Sequence, residues 1–129
     1  MRPEHLETFA ARIAPFGWHV QYRSTDEDLP VLADRMGRLP VDVVVDHIGS
    51  IRPELGLDHP SFTALKGLID RGRSWVKLSA AYQLSKTGAP SYSDYRTMAR
   101  ALVAMASERM LWGTNWPHLK VDFMPDDTD

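Results

Sequence analysis

Val-Asp-Val-Val-Val-Asp-His-Ile-Gly, residues 41–49, is the stretch that decides how the rest of the chain is read. Val43, Val44 and Val45 form an uninterrupted β-branched run. Such runs mark strands buried on both faces, as in parallel sheets. The strand predicted here covers Asp42 to Asp46. Parallel strands cannot be joined by a hairpin and need a helical crossover. The flanking sequence should therefore alternate helix and strand.

It does so in both directions. Upstream, Leu29, Leu32, Ala33 and Met36 fall at helical spacing. Ser24 and Glu27 stand ahead of them at capping-box spacing, and Pro30 is tolerable only near the helix start. Trp18 to Tyr22 reads as a short strand. Before it, Leu6, Phe9, Ala10 and Ile13 form the apolar stripe of another helix. Pro3 suits that helix's first turn and Gly17 the position just past its end. Downstream, a polar loop from His47 to Pro60 leads into a helix carrying Phe62, Leu65, Leu68 and Ile69, which stops near Gly72. Ser74 to Ser79 is the third strand and Tyr82 to Ser91 a second polar loop. Tyr95, Met98, Ala99, Leu102 and Met105 mark the fourth helix, and Arg109 to Trp112 the fourth strand. Met98, Met105 and Met110 suit core filling. Strands starting near residues 18, 42, 74 and 109 are spaced as βαβ units of about 30 residues require. The expected fold is α/β, one domain over residues 1–119 with helices outside a parallel sheet. Residues 120–129 read as a loose acidic tail.

The bulk properties narrow the function classes. Hydrophobic residues make up 43% of the 129 and charged residues 25%, a globular profile. The net charge is −2, which leaves no electrostatic footprint for nucleic acid or an anionic membrane surface. No apolar run approaches the roughly 20 residues a membrane helix needs. Arg2, Glu4, His5, Glu7 and Arg12 break up the first 14 residues, so no signal peptide is read there. Cysteine is absent, which excludes disulfides and thiolate metal sites and fits a cytoplasmic location.

Polar residues gather at the C-terminal end of every predicted strand, where parallel α/β folds place their ligand crevice. His19 and Gln21 share one face of the first strand by alternation. Asp46 and His47 end the second, Lys77 and Ser79 share a face of the third, and Asn115 and His118 follow the fourth. Each has a plainer reading. His47 could be a satisfied structural histidine, Asp46 a turn cap, and His19 could point at a helix. Lys77, between Val76 and Leu78, is either a solvated strand residue or a buried one that needs a partner. Trp112 and Trp116 read as packing residues rather than ligand platforms. Arg2, His5 and His59 read as surface residues.

Four segments carry a resemblance: Gly-Trp-His-Val-Gln (17–21), Val-Asp-His-Ile-Gly (45–49), Trp-Val-Lys-Leu-Ser-Ala-Ala-Tyr (75–82) and Trp-Gly-Thr-Asn-Trp-Pro-His (112–118). In order and spacing the chain resembles the amidohydrolase-2 family of TIM-barrel hydrolases, in its 2-pyrone-4,6-dicarboxylate lactonase-like branch, which includes sugar lactonases. The resemblance implies strands five to eight of a (β/α)₈ barrel, a fold that takes about 250 residues when whole. It implies opening of a lactone or similar cyclic ester by water attack. His47 would orient or polarise the carbonyl, and Asn115 would occupy the strand-eight position. The substrate-facing set is His19, Gln21, Lys77, Tyr82, Gln83 and His118. Asn115 departs from the family's usual Asp, and an amide is no general base. Ser50 and Gln83 stand where the lactonase often carries carboxylate-binding Arg. The family's strand-one His-x-His is absent. With no such pair and no Cys, no metal is expected, although the broad family includes zinc enzymes. The expected ligand is a small lactone or carboxylate-bearing ring. Half a barrel leaves open sheet edges, so self-association, a complementary half-barrel, or membership of a longer chain is expected. The alternative is a catalytically inactive remnant or a binding or structural protein.

Overall fold

The computed structural model describes residues 5–118. Four strands form one parallel sheet in the order β1 (Val20–Tyr22), β2 (Val43–Val45), β3 (Ser74–Leu78) and β4 (Met110–Trp112). Their neighbours in the chain are α1 (Leu6–Ile13), α2 (Leu29–Met36), α3 (Pro60–Asp70), the short α4 (Ala81–Leu84) and α5 (Ser93–Ala106). Pro3 and the acidic residues 120–129 lie outside the described residues. The register Val20↔Val43↔Ser74 and Val45↔Val76↔Met110 aligns the strand ends.

One face of the sheet carries the core. Val20, Val43, Val45 and Val76 are buried on it against Leu29, Leu32, Met36, Phe62, Leu65, Met98 and Leu102 from the helices. Full burial of each such side chain contributes about 1.5–3 kcal/mol. Val44 is also buried, on the opposite face, so the valine run is covered on both sides as its composition requires.

Several local expectations are corrected. Ser24 does not cap α2. Its buried hydroxyl donates to the Gly49 carbonyl (3.0 Å), tying the end of β1 to the turn after β2, while the Asp28 amide donates to Thr25 Oγ1 (3.1 Å). Phe9 is 41% exposed because Leu6, Ala10 and Ile13 complete the buried stripe of α1 without it. Met105 is 37% exposed because the last turn of α5 runs beyond the core that covers Tyr95, Met98 and Leu102. The loop predicted from Tyr82 begins inside α4, entered through a left-handed Ala80 (φ 60°). His59 is not merely a surface residue: its Nδ1 accepts from the Ser61 amide (3.3 Å) and caps α3.

Candidate functional site

The site follows from strand alternation. Val44 pairs with Gln21 on one side and Trp75 on the other. Two residues further along the same face come Asp46 and Lys77. The Lys77 ammonium stands 2.9 Å from Asp46 Oδ1, and Gln21 Nε2 donates to Asp46 Oδ2 (2.9 Å). Both charged side chains are largely withdrawn from solvent, at 26% and 13% exposure. Lys77 is therefore the paired strand residue, and Asp46 does more than end a turn.

After Asp46 the backbone turns left-handed for four residues: His47 (φ 53°), Ile48 (φ 50°), Gly49 (φ 68°) and Ser50 (φ 51°). Such backbone costs about 1–2 kcal/mol at a residue with a Cβ. The cost is offset by burial of Ile48 and by the Gly49 amide closing on the Asp46 carbonyl (2.9 Å). The turn places the buried His47 with its Nδ1 2.8 Å from Ser79 Oγ. Ser79 is held in turn, since the Tyr95 hydroxyl donates to its carbonyl (3.1 Å). Burial pushes the His47 imidazole below its ordinary pKa, with the positive charges of Arg23 and Lys77 adding to the effect and Asp46 opposing it.

Beyond β4, the Gly113 amide donates to the Leu78 carbonyl (3.3 Å) and extends the ladder. Asn115 is left-handed (φ 63°), and the His118 amide closes on its carbonyl (3.1 Å). Asn115 Nδ2 donates to the Tyr82 hydroxyl (2.8 Å), and so does Gln83 Nε2 (3.1 Å). The Tyr82 and buried His118 rings meet edge-on, 5.2 Å apart at 83°.

These strand ends enclose an open cleft of about 460 Å³, lined by Gln21, Asp46, His47, Lys77, Ser79 and Asn115, with Trp112, Gly113, Thr114 and Trp116 along the β4 side. Tyr82, Gln83 and His118 stand beside it through Asn115. His19 stands apart. It precedes β1 at the other end of the sheet and borders a separate hollow of about 220 Å³ with Asp42, Val44, Trp75 and Leu111. Trp112 and Trp116 are not packed away: each is 73% exposed at the cleft. Asp46 and Ser79 had no assigned role in the expected site. The signal for Asp46 lay in Lys77, a charge inside a buried strand that had to find a partner. The described residues contain no group of three or more His, Asp or Glu suited to a metal. The carboxylate in the cleft already faces an ammonium, so this donor set does not fit a metal ion. No helix among the described residues is long and apolar enough to cross a membrane.

Comparison with known proteins bears on the family and the fold. The profile of the family described as "Amidohydrolase" matches residues 2–129. The chain is 40% identical over 135 residues to the "2-pyrone-4,6-dicarbaxylate hydrolase" of Comamonas testosteroni, covering 96% of this chain and 44% of that protein. It is 42% identical over 116 residues to the "D-galactarolactone isomerase" of Agrobacterium fabrum (strain C58 / ATCC 33970), covering 90% of this chain and 39% of that one. The apo crystal structure of ATU3138 from Agrobacterium tumefaciens superposes with a TM-score of 0.82 at 33% identity, over 98% of this chain and 46% of the other. The chain thus spans about two-fifths of the length of the curated relatives it matches. With four parallel strands alternating with helices, it has the form of half a TIM barrel, and it belongs to the amidohydrolase family.

Proposed function

We propose that this chain carries one half of a lactone-opening site of the hydrolase type. The observation that supports it most is His47, a buried imidazole held at Nδ1 by Ser79, in one cleft with the Lys77–Asp46 pair. With Nδ1 engaged, Nε2 is the nitrogen left to orient or polarise a substrate carbonyl. Lys77 and Gln21 bind polar substituents of a small lactone or carboxylate-bearing ring, and Asp46 holds both in place. His118 supports the loop that carries Asn115. Water attack on the carbonyl forms one C–O bond and breaks the ring ester bond. The water proton ends on the released ring oxygen.

Asn115 favours a second reading, a non-catalytic remnant or binding protein, because an amide cannot accept the water proton. A lactone panel with and without Asn115→Asp separates the two. Both acid release and ring isomerisation should be scored, since relatives are named for each. Activity in the unaltered chain supports the hydrolase. Activity only in Asn115→Asp means a competent scaffold without its base. Silence in both points to the missing strands of the barrel as the cause. The active assembly further includes a second half-barrel, either another copy or a complementary segment. A compact monomer of 14.6 kDa in size-exclusion chromatography would count against self-association.

A further inference from the structure

Direct attack by water leaves one proton without an acceptor, because the amide of Asn115 cannot take it. The cleft holds an imidazole–hydroxyl pair that can. His47 Nδ1 stands 2.8 Å from Ser79 Oγ, an ordinary hydrogen-bond distance. Both side chains line the cleft, although the two residues are otherwise buried, at 8% and 4% exposure. With the ring hydrogen on Nε2, Nδ1 is the acceptor and the Ser79 hydroxyl donates to it. That is the arrangement in which an imidazole activates a serine. Each partner is fixed by its own backbone. Ser79 sits at the corner between β3 and α4, ahead of the left-handed Ala80 (φ 60°), and its carbonyl accepts from the Tyr95 hydroxyl at 3.1 Å. His47 opens the left-handed turn after β2. Burial holds its ring below the ordinary pKa, against Asp46 and together with Arg23 and Lys77. The ring is therefore neutral at neutral pH and ready to accept a proton. Lys77 shares a face of the strand with Ser79 and brings a cation to the same cleft.

We propose that Ser79 is a nucleophilic catalytic residue and that His47 is its general base, acting through Nδ1 on a small ester or lactone. The substrate class rests on the lactone reading above; the covalent step goes beyond it. Ser79 Oγ forms a bond to the carbonyl carbon as its proton passes to Nδ1. The ring C–O bond then breaks, and its oxygen leaves with the electron pair and takes the proton from Nδ1. The opened chain stays on Ser79 as an ester. Water attacks that ester, its proton moves by way of Nδ1 to Ser79 Oγ, and the hydroxy acid is released. The sum is one water added across one ring ester bond, the same net reaction as direct attack. Nδ1 and Nε2 point away from each other across the ring, so they do not serve the same carbonyl at once. In this route the Lys77 ammonium is the group that meets the negative charge developing on the carbonyl oxygen. Neither step uses Asn115 as a base.

The first test treats the unaltered chain with a fluorophosphonate, in which phosphorus stands for the carbonyl carbon and fluoride for the leaving oxygen. Peptide mass mapping should find the phosphonyl group on Ser79. Labelling should fall about a hundredfold in His47→Gln, the scale of a lost general base. An unlabelled Ser79 in the unaltered chain overturns the dyad. The second test uses the absence of cysteine from the sequence, which makes Ser79→Cys a single-thiol variant. Beside an imidazole that accepts its proton, this thiol should react with iodoacetamide at pH 7 about tenfold faster than in the Ser79→Cys, His47→Gln double variant. Equal rates would overturn the dyad, since a merely structural hydroxyl predicts no such difference. The third measurement separates the dyad from the lactone reading. Lactone opening that survives Ser79→Ala unchanged overturns the dyad and leaves the lactone reading standing. A labelled Ser79 in a chain that opens no lactone sinks the lactone reading and keeps the dyad.

Discussion

Lys77 and Asp46 occupy a position where each charge depends on the other. Removing one partner of a withdrawn ion pair leaves an uncompensated charge, and costs more than removing both. Asp46→Asn should lower stability by about 2 kcal/mol, between the values typical of exposed and buried pairs. Adding Lys77→Met should recover part of that loss, so the double-mutant cycle in urea denaturation should show positive coupling. Additive effects would mean that the pair is solvated. His47 carries a second prediction. Its folded-state pKa lies below the ordinary 6.5 because burial disfavours the imidazolium. The unfolded chain therefore binds the proton more readily. The stability that comes from a neutral His47 is present above pH 6.5 and is lost as pH falls through the lower folded value. Urea midpoints measured from pH 8 to pH 5 should fall in the unaltered protein, and fall less in His47→Gln.

At the scale of elements, the loop ahead of α5 is organised by one carboxylate. Asp94 accepts from the Ser85 hydroxyl, the Lys86 amide (2.7 Å), the Thr87 hydroxyl (2.9 Å) and the Tyr95 amide (2.8 Å). Burial alone would raise its pKa, but these donors outweigh that and hold it well below the usual carboxylate range. Its contribution is present above the ordinary value of 3.8 and disappears as pH falls below it. Asp94→Ala should cost about 2 kcal/mol, as loss of charge-assisted hydrogen bonds does. It should also speed hydrogen exchange at the Lys86 amide. An unchanged exchange rate would show that the loop is held by other contacts. This network shows why some elements were legible in the sequence and others were not. The valine run and the helical stripes of α2, α3 and α5 depend on apolar periodicity, which a single sequence displays. The α4 turn and the Asp94 network depend on tertiary hydrogen bonds between residues up to nine positions apart, which periodicity does not show. Ser24 misled for the same reason: its capping-box spacing is local, whereas its actual partner, Gly49, lies 25 residues away.

For the whole molecule, the sheet ends at β1 on one side and β4 on the other among the described residues. Trp18 precedes the first, Trp112 ends the second and Trp116 follows it, each at least 64% exposed. Their fluorescence should be red-shifted and readily quenched by acrylamide in the isolated chain. Co-expression with a complementary four-stranded (β/α) segment should shift the emission to the blue if the proposed second half covers those edges. An unshifted spectrum in a co-purifying complex would place the contact elsewhere. The strand-end cluster of Gln21, His47, Lys77 and Asn115 was legible because parallel topology alone brings those ends together. The exclusion of His19 from the cleft was not, because alternation specifies which face a residue occupies but not which end of the sheet.

The turn at residues 47–50 is, locally, backbone of the opposite hand. Ser50 lies in it with a φ of 51°, a value natural to a D-amino acid. A semisynthetic chain with D-serine at position 50 should be more stable by about 1 kcal/mol, because the mirror-image residue enters this turn without the clash its L form suffers. Chirality, and not only side-chain identity, is thus a design variable one turn away from the imidazole that the cleft presents.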